Sequence, residues 1–311
     1  MKGTRRIGRS AAILPGLLAL FVGAMAPTSA TGDDVARDDI RTLRAEGRTV
    51  RLLFIHHSCG GQLMAAGGAR VGGEKGGGRR CIYTSHPNGG GLRDDLQRAG
   101  YEVHELSYES RLGADTDIHD WPAKFRGHLP DLLATDEQDR PYDDGRANHV
   151  VAFKSCYPNN AFTGRGQEPG NPDDPELTVA NAMAAYRALL PVFASEPEVL
   201  FVAFTAPPQA EPKPGFLDRL RALFDKAPTA ADLAREFNGW LADRDGGWLA
   251  EYAGSNVAVF DYYDILTDGG ASNWSRYPTG GGRDSHPSAE GNRKAAVAFV
   301  PFLDAAIEDM H

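Results

Sequence analysis

The stretch Leu52–Gly61, LLFIHHSCGG, passes from apolar residues straight into two histidines, Ser58, a cysteine and two glycines. A serine hydroxyl becomes a nucleophile when a base stands within hydrogen-bond reach, a third group orients that base, and donors await the oxyanion. The chain carries a residue for each part. Ser58 can attack, His286 in the segment RDSHPS can take its proton, and Asp284 can orient the imidazole. The backbone N–H groups of Ser58 and Gly113 and the side-chain amide of Asn159 can hold the oxyanion, with Asn160 as the alternative amide. Arg283 has no part in this scheme. Each residue also has a plainer reading. A serine behind a strand closes turns, Asp284 can cap a helix that begins near Pro287, and asparagines after Pro158 are turn formers. If Asp284 caps, a backbone carbonyl, Asp261 or Asp264 must orient His286 instead.

These residues need a frame that gathers them. Five short apolar runs recur along the chain: Val50–Ile55, Tyr101–Leu106, His149–Lys154, Val199–Thr205 and Val257–Tyr263. The first, third and fourth are almost continuously apolar, as strands covered on both faces are. Helical patterns lie between them: GLRDDLQRAG, TVANAMAAYRALLPVF, and TAADLAREFNGWLADRD, which Thr229 can cap. A last helical segment opens with Pro287 and runs to the C-terminus. Alternation of this kind predicts an α/β fold with a parallel sheet between helical layers. In such a sheet ligands bind beyond the carboxyl ends of the strands. HHSCGG, SYESRLGADTD, SCYPNN and APPQ follow the first four runs, so the candidate residues converge on one rim.

The order of these blocks resembles the SGNH (GDSL-type) hydrolases, whose blocks contribute Ser, Gly, Asn and His in turn. FIHHSCGG is similar to the first block with Ser58, LGADTD to the second with Gly113, FKSCYPNN to the third with Asn159, and RDSHPSAEGNRKAA to the last with Asp284 and His286. The resemblance covers residues 31–311 and implies a three-layer α/β/α sandwich with a five-stranded parallel sheet, a flavodoxin-like arrangement. It implies a serine esterase, with O-acetyl groups on a carbohydrate as the substrate class and no cofactor or metal. His56-His57 stand where Gly-Asp is usual, and Tyr157-Pro158 replace a glycine. The Asp-x-His spacing matches a branch related to polysaccharide O-acetyltransferases, which makes acyl transfer the alternative reaction.

Other chemistries fit less well. An α/β-hydrolase elbow requires Gly-x-Ser-x-Gly, and His56 takes the first glycine's place. A metal hydrolase on His56, His57, Asp117 and His286 is opposed by adjacent histidines pointing to opposite sides of an extended chain. A carbohydrate-binding role without catalysis would use Trp121, Trp274 and Tyr277 to stack on sugar rings. His86, in a glycine-rich stretch over residues 60–91, can approach a substrate. That stretch is too long for an ordinary connection and reads as functional or mobile.

The N-terminus has the grammar of an export signal: a basic MKGTRRIGRS, an apolar AAILPGLLALFVGAMA, and small residues at Thr28 and Ala30. Residues 1–30 are therefore expected to be removed, leaving one domain over 31–311 in a secreted, periplasmic or cell-envelope location. No stable membrane insertion is expected after cleavage, since the apolar stretch is short for a span. The net charge of −9 over 311 residues opposes nucleic acid as a partner and leaves a small-molecule or glycan acyl ester. Cys59, Cys81 and Cys156 permit at most one bridge within the chain, with any of the three pairings open.

Overall fold

The structure is a computed structural model and describes residues 39–72, 80–213, 215 and 227–311. The expected export signal lies outside the described residues. Five strands form the central sheet: β1 (Val50–Ile55), β2 (Tyr101–Leu106), β3 (Val150–Lys154), β4 (Leu200–Phe204) and β5 (Val257–Phe260). Their spatial order is β5-β4-β3-β1-β2 and every pairing is parallel. Every residue of β3 and β4 is buried, which is why both read as almost continuously apolar runs.

Among the described residues the α-helices, in chain order, are α1 (Ile40–Ala45), α2 (Ser58–Met64), α3 (Leu92–Arg98), α4 (Asp120–Leu133), α5 (Val179–Arg187), α6 (Leu190–Ala194), α7 (Ala230–Ala242), α8 (Tyr262–Leu266) and α9 (Ala289–Glu308). Successive strand residues face opposite ways, so the sheet supports two separate cores. Leu53, Ile55, Val151, Phe153 and Phe201 meet Trp121 and Phe125 of α4, Tyr186 of α5 and Phe237 of α7. Leu52, Phe54, Ala152, Val202 and Phe204 meet Leu96 of α3 and Phe299 and Leu303 of α9. This is the three-layer α/β/α sandwich with a five-stranded parallel sheet expected from the sequence.

Local chemistry adjusts the expected boundaries. The fifth run stops at Phe260 because Asp261 accepts the Asp264 N–H at 3.0 Å and caps α8. The segment TVANAMAAYRALLPVF divides into α5 and α6, since Pro191 has no N–H to continue the first helix. Thr229 caps α7 in a reciprocal pair with Asp232, as expected. The glycine-rich stretch is more ordered than its composition suggested: it enters as α2 and continues into a small sheet of Ala66–Gly67, Val71–Gly72 and Tyr83–His86. Residues 73–79 lie outside the described part. Trp121 is a core residue, with its indole N–H donated to Ser155 Oγ at 2.9 Å, and offers no face for a sugar.

The register aligns the carboxyl ends. Ile55 pairs with Leu106 and Phe153, and Phe204 pairs with Lys154 and Phe260. The chain leaves β1 and β3 in neighbouring positions but continues to opposite sides of the sheet. The strand order therefore reverses between the segments following β1 and β3, the topological switch point of the sheet.

Candidate active site

Ser58 is the first residue of α2, directly after the exit of β1 at this switch point. The turn before it is pinned from below. His56 is fully buried and its ring bonds to Glu105 Oε1 at 2.9 Å and to the His57 carbonyl at 2.9 Å. Glu105 in turn accepts from Arg93, whose Nη1 also donates to the Tyr83 carbonyl at 2.8 Å. Burial alone would raise the Glu105 carboxyl, but Arg93 and His56 overcome it and hold it at about 2. Two glycines then let α2 start flush against its surroundings. A Cβ at Gly60 would sit 2.3 Å from His56 Cβ, and one at Gly61 would sit 1.8 Å from the Cys81 carbonyl oxygen.

Asp284 and His286 lie on a short strand, Asp284–Pro287, paired antiparallel with Pro278–Thr279. Residues two apart on a strand share a face. The Nδ1–H of His286 donates to Asp284 Oδ1 at 2.7 Å, and the Ser58 hydroxyl donates to His286 Nε2 at 2.9 Å. Asp284 Oδ1 also accepts the His286 backbone N–H at 3.0 Å. Slight burial pushes the Asp284 carboxyl up, but these His286 contacts prevail and hold it below its ordinary value. The cap of α9 is Ser288, and the alternative acids are engaged elsewhere. Asp261 accepts from Thr205 Oγ1 at 3.0 Å, and Asp264 pairs with Arg235 at 2.9 Å. Arg283 is exposed.

The two asparagines after β3 divide their work. Asn160 spends both side-chain N–H groups on the carbonyls of Ala206 and Pro207, at 3.0 and 2.9 Å, and its oxygen accepts from Asn238 at 2.8 Å. It ties β3's exit to the Pro207–Pro208 rim and has nothing left to donate. Asn159 accepts the Ile118 N–H at 2.8 Å and donates one N–H to Asp117 Oδ1 at 2.8 Å. Its second N–H remains available. Ser58, as the residue opening a helix, has a backbone N–H with no intrahelical acceptor.

Gly113 departs from its expected part. Its N–H donates to Ser110 Oγ at 2.8 Å, so it is not presented to a substrate. Glycine is needed there for another reason: a Cβ would lie 2.3 Å from the Ser107 carbonyl oxygen. The Gly113 carbonyl accepts the Nε2–H of His57 at 3.0 Å, while His57 Nδ1 accepts from Thr116 Oγ1 at 3.1 Å. Burial, the largest influence, depresses His57 to about 4, against the opposing pull of Cys156 and the Gly113 carbonyl. His57 is thus a neutral strut between the turn leading into Ser58 and the loop after β2.

Aromatic rings and thiols surround the relay, and of these Tyr108 carried no sequence signal of its own. Tyr108 stacks on His57 at 3.6 Å, and Tyr157 meets the His286 ring edge-on at 5.2 Å. His86 packs on Tyr83 at 4.9 Å, its Nδ1 accepting the Asn88 N–H at 3.1 Å. Burial lowers its pKa first, with Arg70 and His286 adding to the effect. Cys59, Cys81 and Cys156 are all buried thiols with no bridge among them. Cys156 Sγ lies 3.8 Å from Ser58 Oγ.

No protein-family model matches the chain, and no curated protein matches it. Among solved structures it is similar to a "putative acylhydrolase" from Bacteroides fragilis, at 12% identity over 86% of this chain and 94% of that one, with a TM-score of 0.41. It is also similar to a catalytic mutant of an acetylxylan esterase from Geobacillus stearothermophilus, at 15% identity over 83% and 94%, with a TM-score of 0.39.

Proposed function

We propose that this chain is an exported serine esterase of the SGNH type, hydrolysing acyl esters and in particular O-acetyl groups on a carbohydrate. The observation that carries the reading is the relay from Ser58 to His286 at 2.9 Å and on to Asp284 at 2.7 Å. In this mechanism Ser58 Oγ adds to the ester carbonyl as its proton passes to His286 Nε2. Asp284 fixes the tautomer and stabilises the imidazolium. His286 then protonates the departing sugar alcohol, and a water deprotonated by the same ring releases acetate from Ser58. The Ser58 N–H and the remaining Asn159 N–H are the oxyanion donors. The partly open relay, with the His286 and Asp284 side chains 23% and 48% exposed, suits a short acyl group presented by a larger molecule. Residues 1–30, read as an export signal, supply the extracytoplasmic setting.

A p-nitrophenyl ester series of increasing chain length, followed by acetate release from acetylated glycans, tests the reading. Short chains should be preferred, a fluorophosphonate should label Ser58, and Ser58→Ala should lower kcat by about 10³–10⁶. Near-normal turnover in Ser58→Ala, or labelling elsewhere, would overturn it. Transfer of the acyl group to a sugar hydroxyl in preference to water would make the protein an O-acyltransferase. Glycan binding without turnover would make it a carbohydrate-binding protein.

A further inference from the structure

Beneath the relay lies a cluster of groups that it does not use. Lys154 closes β3 with 0% exposure, and its ammonium donates to the Ser155 carbonyl at 3.1 Å and to Cys156 Sγ at 3.6 Å. Among the described residues no carboxylate forms an ion pair with it. A buried ammonium needs a counter-charge, and Cys156 is the group placed to supply one. Cys59 also hydrogen-bonds to this sulfur through its thiol and its backbone N–H, and Ser58 Oγ lies 3.8 Å from it. The Cys59 hydrogen bond, Lys154 and the Cys59 N–H together hold the Cys156 thiol well below its ordinary pKa despite burial. Cys59, as the donor to that sulfur, is pushed in the opposite direction. Cys156 thus sits 3.6 Å from a buried ammonium that favours its thiolate, and a second thiol is already in contact with it.

We infer that Cys156 and Cys59 form a hydroperoxide-responsive thiol pair beside Ser58, with Cys156 the sulfur attacked and Cys59 the sulfur that resolves it. The Cys156 thiolate takes the terminal oxygen of a hydroperoxide. The O–O bond breaks, the sulfur loses two electrons, and the departing alkoxide or hydroxide takes a proton from water. The resulting sulfenic acid no longer holds the Cys59 proton as a thiolate does. Cys59 sulfur then attacks it, forming the disulfide and releasing water. The product links the residue after Ser58 to the residue that leads into Asn159, and it leaves Lys154 without its anion. Ser58 then loses its alignment with His286.

The linkage does not depend on the esterase reading; only the loss of turnover does. Full-length protein treated with hydrogen peroxide and mapped by mass spectrometry without reductant should show Cys59 joined to Cys156. Ester hydrolysis should fall at least tenfold and return with dithiothreitol. In Cys59→Ser, dimedone should trap the sulfenic acid on Cys156 and no link should form. Cys81→Ser should oxidise as the wild type does. Formation of the link in a protein that hydrolyses no ester would uphold the inference while removing the proposed function. Persistence of both free thiols in treated wild type, or a bridge containing Cys81, would overturn it.

Discussion

Lowering the pH from about 7 to about 4 should weaken the fold in part through the imidazole of His57. Its Nε2–H is given to Gly113 and its Nδ1 accepts from Thr116, so a second ring proton has no acceptor in place. Burial accordingly depresses it from 6.5 to about 4. In the unfolded chain the ring protonates near 6.5. Between those values the unfolded state binds a proton that the native state refuses, so stability falls as the pH drops through that window. Above it both states are neutral and the group has no effect. One proton is worth about 1.4 kcal/mol per pH unit, which sets a ceiling of about 3 kcal/mol, reduced by solvent screening of the partly open ring. Urea unfolding of wild type and His57→Gln across this range isolates the effect. His86 and His104 are also pushed down by burial, but they titrate in both proteins and cancel in the difference. The stability advantage of the wild type should shrink steadily as the pH falls below about 6.5. A gap that stays constant down to about pH 4 would refute the assignment of His57 as a neutral strut.

Asp284→Asn should reduce kcat by up to about 10⁴ with the fold intact, because the amide favours the wrong imidazole tautomer, whereas Arg283→Ala should be near normal. Steady-state kinetics on a short-chain ester decides, and a loss in Asp261→Asn or Asp264→Asn with Asp284→Asn active would move the acid. Asn159→Ala should lower kcat by roughly 10²–10³, a loss well beyond the modest destabilisation expected from leaving the buried Ile118 N–H unpaired. Asn160→Ala should instead lower stability by about 1–3 kcal/mol, since two buried carbonyls and Asn238 lose their partner. Thermal melts and kinetics on both variants should separate the two roles, and equal effects would merge them.

Much of the frame and the order of the relay could be read from residue types. The continuous apolar runs announced strands covered on both faces, and the polar residues behind them marked the rim. What escaped the sequence depended on contacts between distant or identical residues. Gly113 lost its expected donor role to Ser110, and spacing does not reveal which side chain curls back onto an N–H. Asn159 and Asn160 are the same residue type, and only the 3₁₀ turn, which sets successive side chains about 120° apart, sends them to different partners. Trp121 was legible in principle: with Phe125 and Leu129 it continues a buried stripe at helical spacing. Lys154 at the end of an apolar strand looks like an ordinary solvent-reaching lysine. Only the packing of the α2 entrance above it shows that its charge stays inside.

The relay joins two contacts of very different reach. Asp284 and His286 are two residues apart, whereas His286 and Ser58 are separated by 228. The acid–base half closes almost no loop and is prepared by one short hairpin, while the nucleophile is brought in across most of the chain. Competence therefore rests on a single distant closure, in which the segment leading into α9 settles against α2. A chain that has formed every strand but has not docked its last helix owns a primed histidine and no serine for it to serve. In the proposed mechanism the serine therefore gains its base only where the segment leading into α9 has docked against α2, a closure that spans 228 residues.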